Sequence, residues 1–124
     1  MKALSVRQPW ASLIADGKKT IELRRWKTAY RGPLLICASA NKQGRGPKGV
    51  AVATVNLVDI RPATTADESA ACCTPGNDEF AWIFENAHPV TPFPVKGKLS
   101  VFSVAFPKTE NLASIADNRQ GNLF

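Results

Sequence analysis

The sequence predicts a small α+β domain in which about five or six mostly antiparallel strands close or half-close into a β-barrel, with two or more short helices. Most apolar segments are short runs that alternate or are rich in β-branched residues, and Gly or Pro bounds them. Helical spacing occurs in two segments, and helices do not alternate with strands as they do around a parallel sheet. At 124 residues the chain suits one core and is too short for two, so a single domain is expected.

Six segments have the composition of β-strands, and turn residues separate them. One of them, Leu34–Ala38, is apolar throughout, which indicates a central position in the sheet. In chain order the predicted strands are Ala3–Val6, Thr20–Arg24, Leu34–Ala38, Val50–Ile60, Phe80–Glu85 and Leu99–Phe106.

Two short helices are predicted between these strands. The first runs from Pro9 to Asp16, because proline suits the first position of a helix and Gly17 suits its end. The second begins at Thr65-Ala66-Asp67-Glu68, which has the form of a capping box, and runs through Cys73.

The composition argues against several classes of protein. No apolar run approaches the roughly 18 residues of a membrane span, and the N-terminal segment lacks the pattern of a signal peptide, so a cytoplasmic protein without membrane contact is expected. The 3 cysteines and 1 histidine lack the spacing of a disulfide framework or a zinc site, and no metal or cofactor is predicted.

After Pro107 the chain becomes polar, so the domain is expected to span residues 1–107, followed by a loosely attached tail over residues 108–124.

The net charge of +6 is unevenly distributed. Residues 1–62 contain 12 basic and 3 acidic residues, whereas residues 63–124 contain 4 basic and 7 acidic residues. A basic half beside an acidic half produces a directional field, which favours a phosphate-bearing or polyanionic ligand. The alternative is that the basic surface only aids solubility. If it serves binding, RNA or single-stranded DNA is a candidate partner of the N-terminal half.

A polar stripe is predicted on the second strand. Thr20, Glu22 and Arg24 project to one face of an extended segment, and Lys19 lies at its entrance. A carboxylate placed between cations in a cleft is typical of a functional site, because neighbouring charges tune its proton affinity. The structural alternative is a solvated Glu–Arg pair at the edge of the sheet.

Two tryptophans are candidates for ligand contact. Trp26 lies among basic residues and close to Tyr30, and aromatic side chains interleaved with basic ones suit base stacking and phosphate contact. The alternative is that Trp26 and Tyr30 cap the open end of the barrel. Trp10 is expected to anchor the first helix in the core, beside the site. The glycine-rich basic loop at residues 41–49 does not match a phosphate-binding P-loop.

Four segments carry a family resemblance: SVRQPWASLIADGKKTIELRRW, LLICASAN, FAWIFENAHPV and PFPVKGKLSVF. In order and spacing over residues 3 to 106 they resemble the signature of the ASCH (activating signal cointegrator homology) family, a branch of the PUA-like fold. The resemblance implies a PUA-like β-barrel with a cleft beside the first helix, and an association with RNA or other nucleic acids. Some small members are amidohydrolases that remove acyl groups from the exocyclic amine of cytosine nucleosides.

The resemblance also implies catalytic residues. Those amidohydrolases use a Lys of a G-x-K-T motif, a Thr three residues later as nucleophile, and a Glu from a later helix. Here Lys19 supplies the Lys, whereas Glu22 occupies the position of the Thr, and Glu68 lies in the corresponding helical region. Glu22 is suited to act as a general base towards water, or to form a transient mixed anhydride, with Lys19 stabilising the oxyanion or protonating the leaving amine. A capping role is the other explanation of Glu68.

Further candidates for ligand contact flank these residues. Arg7 and Gln8 precede the first helix and are suited to read a base edge, although capping of the helix explains Gln8 equally well. Ser39 ends an apolar strand and Asn86 follows another, and both also suit turns.

The favoured hypothesis is a metal-independent amidohydrolase for N(4)-acylcytidine, and the alternative is an RNA or single-stranded nucleic-acid binding module, with or without nuclease activity.

Overall fold

The computed structural model describes residues 1–42 and 44–106. The predicted tail, residues 108–124, therefore lies outside the described residues. In chain order the elements are β1 Lys2–Val6, α1 Trp10–Ala15, β2 Ile21–Arg24, β3 Gly32–Ala38, β4 Val50–Pro62, a 3₁₀ helix Thr65–Asp67, α2 Glu68–Ala71, β5 Phe80–Pro89 and β6 Phe102–Ser103.

The six strands form one sheet in the order β2-β5-β4-β3-β1-β6. The pair β1–β3 is parallel, and the other neighbours are antiparallel. The long strand β4 changes register against β5 between Thr54 and Asn56 and again between Leu57 and Asp59. Such irregularities bend a strand and increase its twist, so the sheet curls into a half-barrel. The predicted α+β small barrel with mostly antiparallel strands is confirmed.

The main core lies inside the curl of the sheet. The apolar strand β3 is central, as predicted, and Leu34 and Ile36 are fully buried in this core, whereas Leu35 is buried in a second apolar cluster. Helix α1 packs Ala11 and Ile14 into the same core. The helix therefore closes one side of the half-barrel and fixes the position of the residues that precede and follow it.

Some predicted boundaries were wrong. Strand β6 is limited to Phe102–Ser103, much shorter than the predicted segment. The capping box lies one residue earlier than predicted, because the Asp67 carboxylate accepts a hydrogen bond from the Thr64 N–H at 2.8 Å and also pairs with Arg61. Helix α2 ends before Cys72, which has a φ of 60° and so cannot continue a right-handed helix.

Candidate ligand-binding cleft

A cleft of about 380 Å³ opens between β2 and the part of β1 that extends beyond its pairing with β6, beside α1. Residues from β1, α1 and β2 form its walls, and the segments that follow β3 and precede β6 form its rim. The lining residues are Ser5, Arg7, Trp10, Glu22, Leu23, Arg24, Ser39, Asn41, Lys98 and Leu99. Five of the residues predicted from the sequence are among them: Arg7, Trp10, Glu22, Arg24 and Ser39.

The alternation of β2 directs Glu22 towards the cleft. Ile21 packs with Ala71 and Ala81 in a small apolar cluster on one face of β2. Glu22 is paired across the strands with Trp82, so its side chain lies on the opposite face, the face of the main core. The residue is only 6% exposed, and it lines the cleft.

Two cations flank this carboxylate. The Nζ of Lys19 lies 3.5 Å from Glu22 Oε1, and the Nε of Arg24 donates a hydrogen bond to Glu22 Oε2 at 2.9 Å. Arg24 also donates from Nη2 to the carbonyl of Ser5, which joins β2 to β1. The charged groups are therefore held in one place by contacts to both strands.

Lys19 is almost completely enclosed, with 2% of its surface exposed. Its ammonium donates a hydrogen bond to the carbonyl of Ala71 at 2.5 Å and lies 5.2 Å from the centre of the Trp10 ring. A cation over an indole face is stabilised by the ring quadrupole. Lys19 thus contacts both Glu22 and the Trp10 ring, and those two residues line the cleft whereas Lys19 does not.

Besides Lys19, four predicted residues do not line the cleft. Both ends of the Gln8 amide are occupied, since Oε1 accepts from the Ser12 N–H at 2.9 Å and Nε2 donates to the Pro47 carbonyl at 2.7 Å. Gln8 therefore caps α1, as one alternative predicted, and it also anchors the glycine-rich loop. Glu68 is exposed and accepts a hydrogen bond from the Thr74 hydroxyl at 2.9 Å.

The other two are Trp26 and Asn86. The ring of Trp26 packs edge-on against Trp82, with 4.9 Å between ring centres, and its carbonyl accepts a hydrogen bond from Trp82 Nε1. This packing matches the capping alternative. Asn86 is exposed on β5 with a φ of 56°, a conformation that Asn tolerates better than most residues, so backbone geometry explains its presence.

Sequence reasoning missed five lining residues, of which Ser5 is the most informative. Its hydroxyl oxygen is buried and has no hydrogen-bond partner among the described residues. The backbone of Gly97 covers it, and a Cβ on that glycine would lie 2.3 Å from Ser5 Oγ. A serine inside an apolar strand was the available signal. Lys98 and Leu99 lie in a segment whose placement depends on tertiary contacts alone.

Within the described residues, no cluster of three or more His, Cys, Asp or Glu side chains is arranged to hold a metal ion. In the same part of the chain, no helix has the length and apolar character to cross a membrane.

The fold is that of a PUA-like domain, and its cleft lies where β1 and β2 approach each other. The chain belongs to the ASCH domain family, whose model matches residues 4–94. It is similar to activating signal cointegrator 1 of Homo sapiens, with 31% identity over 126 residues, and to the protein of the same name of Mus musculus, with 29% identity. Each match covers 82% of this chain but 22% of the relative, so the chain spans about a fifth of their length.

Solved structures show the same fold. The crystal structure of ASCH from Zymomonas mobilis superimposes with a TM-score of 0.67 over 92% of this chain and 94% of that chain, at 18% identity. A structure of a substituted form of the same protein gives a TM-score of 0.58 over 94% of this chain and 81% of that chain, at 16% identity. At these identities the likeness concerns the fold.

Proposed function

We propose that the cleft binds the base of a nucleotide, either free or within single-stranded nucleic acid, and that Glu22 accepts a hydrogen bond from an exocyclic amine of the base. The observation that carries this proposal is a buried acidic residue, 6% exposed, that lines a cleft whose other charged lining residues are basic. Burial of a carboxylate is costly unless partners compensate for it. Lys19 and Arg24 supply that compensation, and a ligand amine would use the lone pairs that they leave.

Glu22 retains the capacity to bind such a donor. An ionised carboxylate offers about four lone-pair positions. Arg24 occupies one of them directly, and Lys19 faces another from 3.5 Å. The remaining positions are available to an N–H group of a ligand, and the guanidinium of Arg24 offers further donors to an adjacent ring nitrogen or carbonyl of the base.

The size and walls of the cleft suit a nucleoside. A volume of about 380 Å³ lies within the usual range for small-molecule sites. The half-buried indole of Trp10 offers an apolar wall on which a base can stack. Resemblance to cytidine-specific members of the family makes cytosine the base to test first.

Binding is favoured over hydrolysis on geometric grounds. The ammonium of Lys19 faces Ala71 and the Trp10 ring and does not line the cleft. Among the described residues, neither serine hydroxyl of the cleft is hydrogen-bonded to a general base: Ser5 Oγ has no partner, and Ser39 Oγ accepts from the Asn41 N–H. An activated nucleophile of the usual kind is therefore not assembled there.

The experiment compares cytidine 5′-monophosphate with uridine 5′-monophosphate by isothermal titration calorimetry. The two ligands differ at the exocyclic position that Glu22 is proposed to contact. The cytidine nucleotide should bind about tenfold tighter or more, and Glu22→Gln should remove that preference, because a hydrogen bond to a charged group contributes about 1.5–3 kcal/mol. Glu85→Gln, at an exposed acid on β5, is the matched control. Equal affinity of the wild-type protein for both nucleotides would refute the proposal.

A single-stranded polymer is the form of ligand that the surrounding charge favours. Arg7 and Lys98 line the cleft, and the loop anchored by Gln8 carries Lys42 and Arg45 with exposed side chains. Oligocytidylate should therefore bind with an affinity that falls as salt rises, with a slope of about −0.7 for each neutralised phosphate. A flat dependence on salt would restrict the ligand to the free nucleotide.

Hydrolysis of N(4)-acylcytidine is the second candidate function, and the 3.5 Å contact between Lys19 and Glu22 favours it. Glu22 would take a proton from water, the water oxygen would bond to the acyl carbon, and the C–N bond would break as Glu22 returns that proton to the leaving amine. The products are a carboxylic acid and cytidine. Release of cytidine from N(4)-acetylcytidine is followed by its ultraviolet shift, with Glu22→Gln as the inactive variant. Absence of turnover in the wild-type protein would eliminate this candidate and leave the binding proposal intact.

A further inference from the structure

We propose that the cleft contains a second subsite, formed by Ser5, Arg7, Ser39 and Lys98, which binds a phosphate group. This subsite deepens the proposed function, because it would hold the phosphate of the nucleotide whose base lies against Glu22. The two subsites use different residues, so each can be tested without the other.

The first observation is the unpartnered hydroxyl of Ser5. Its oxygen is buried, and no described residue donates to it or accepts from it. Buried polar atoms are hydrogen-bonded in the great majority of cases, and an exception in a cleft indicates a group that a ligand satisfies. A serine hydroxyl both donates and accepts, and donation to a phosphate oxygen is one of the contacts it makes most readily.

The second observation is the register of the parallel pair β1–β3. Ser5 is paired with Cys37, and the Ser39 N–H donates to the Val6 carbonyl at 2.8 Å. The two strands therefore end side by side, and Arg7 and Ser39 leave the sheet at the same end. Ser5, Arg7 and Ser39 all line the cleft.

The third observation is uncompensated positive charge. Within the part of the chain that the structure describes, the guanidinium of Arg7 and the ammonium of Lys98 form no ion pair, and both residues are exposed. Ser39 Oγ accepts a hydrogen bond from the Asn41 N–H at 3.1 Å, which leaves its own hydroxyl hydrogen to donate. Two cations and two hydroxyl donors without a carboxylate among them match a phosphate monoester or diester.

The segment over residues 96–100 covers the Ser5 hydroxyl and must shift when the phosphate enters. It presses Gly97 against Ser5 without giving the hydroxyl a partner. Its apolar residue Leu99 is 95% exposed, so the segment gains little from burial in this position. The phosphate would replace the contact with Gly97 by a hydrogen bond.

The experiment measures binding of cytidine 5′-monophosphate, cytidine and ribose 5-phosphate to the whole chain. The wild-type protein should bind the nucleotide about tenfold tighter than the nucleoside, as expected for charge-assisted hydrogen bonds. Ser5→Ala and Arg7→Gln should each reduce that ratio several-fold and leave the affinity for cytidine unchanged. Ser69→Ala and Arg25→Gln, at exposed positions outside the cleft, are the matched controls.

A second measurement separates this subsite from the base subsite. Ribose 5-phosphate lacks a base, and its addition should shift the amide resonances of Ser5 and Gly97 in the wild-type protein but not in Arg7→Gln. Equal affinity for nucleotide and nucleoside together with unshifted resonances would overturn the phosphate subsite. Loss of the preference for cytosine over uracil, with the phosphate effects retained, would overturn only the proposed base recognition.

Discussion

Glu22 and Asp67 are the two acidic residues buried in the described part of the chain, and each is paired with arginine. Asp67 is bound in the fork geometry that suits a carboxylate: Arg61 donates from Nη2 to Oδ1 at 2.7 Å and from Nη1 to Oδ2 at 2.8 Å. The Thr64 N–H donates to Oδ2 as well, at 2.8 Å. Glu22 has one such bond, from Arg24, and a looser contact with Lys19.

The difference distinguishes a structural ion pair from a binding group. All the partners of Asp67 lie within six residues, and together they fasten the end of β4 to the following 3₁₀ helix. Both carboxylate oxygens are used, and nothing there lines the cleft. Glu22 is held by cations on its own strand and the preceding turn, and its unused lone pairs face a cavity. A carboxylate whose oxygens are both fully hydrogen-bonded stabilises the fold, whereas a carboxylate in a cleft with unused lone pairs is available to a ligand.

The largest effect is expected from Glu22→Ala. The substitution leaves the ammonium of Lys19, whose side chain is 1% exposed, without its counter-ion. Removal of one partner of a buried ion pair costs about 3–5 kcal/mol. Urea denaturation of the variant should therefore show a fall of this size in the free energy of unfolding, together with loss of ligand binding.

A second substitution tests whether the unpaired charge of Lys19 causes this loss of stability. Lys19→Met in the Glu22→Ala background removes the unpaired charge and should restore most of the lost stability while binding stays absent. If the double variant is no more stable than Glu22→Ala alone, the loss comes from packing and the ionic explanation is wrong.

A smaller effect, dependent on pH, is expected at Asp67. The hydrogen bonds from Arg61 and then from the Thr64 N–H lower the pKa of this carboxyl from 3.8 to about 2. Because the pKa is lower in the folded state, the stabilisation is fully present above the unfolded value of 3.8 and is lost as the pH falls through about 2. Solvent at the Arg61 side chain, which is 43% exposed, screens the pair, so about 1–2 kcal/mol is expected at pH 7.

The measurement is the free energy of unfolding of wild type and Asp67→Asn between pH 2 and pH 6. The difference between them should shrink as the pH falls towards 2, and nucleotide affinity at pH 7 should be the same for both. A difference that stays constant over this range would show that the carboxylate charge is not what stabilises the turn.

Much of the fold followed from local pattern. The β-branched and alternating runs located the strands, and Pro9 and Gly17 bounded the first helix to within a residue or two. The extent of the last described strand was less predictable, because β6 is limited to Phe102 and Ser103, which pair with Ala3 and Lys2 of β1. The local pattern indicated a strand within residues 99–106, but it could not show how much of that segment pairs with β1.

The site was predictable where it depends on strand alternation, as for Glu22 and Arg24. It was not predictable where a side chain had two plausible partners. Gln8 suited both base reading and capping, and only the positions of the Ser12 N–H and the Pro47 carbonyl decide between them. No sequence motif marks Ser5, because what distinguishes it is a buried hydroxyl without a hydrogen-bond partner among the described residues.

The smallest effect is expected when Arg24 or Arg61 is replaced by lysine. A lysine cannot reproduce the planar fork of a guanidinium, so Arg61→Lys and Arg24→Lys should each lose about one hydrogen bond, at the cost of about 1 kcal/mol. Thermal unfolding should register similar small losses in the two variants. Calorimetry with cytidine 5′-monophosphate should distinguish them, because Arg24→Lys also releases Glu22 from its orientation in the cleft and weakens binding several-fold, while Arg61→Lys leaves binding unchanged. Equal affinities in the two variants would mean that the Glu22 cluster is as purely structural as the pair at Asp67.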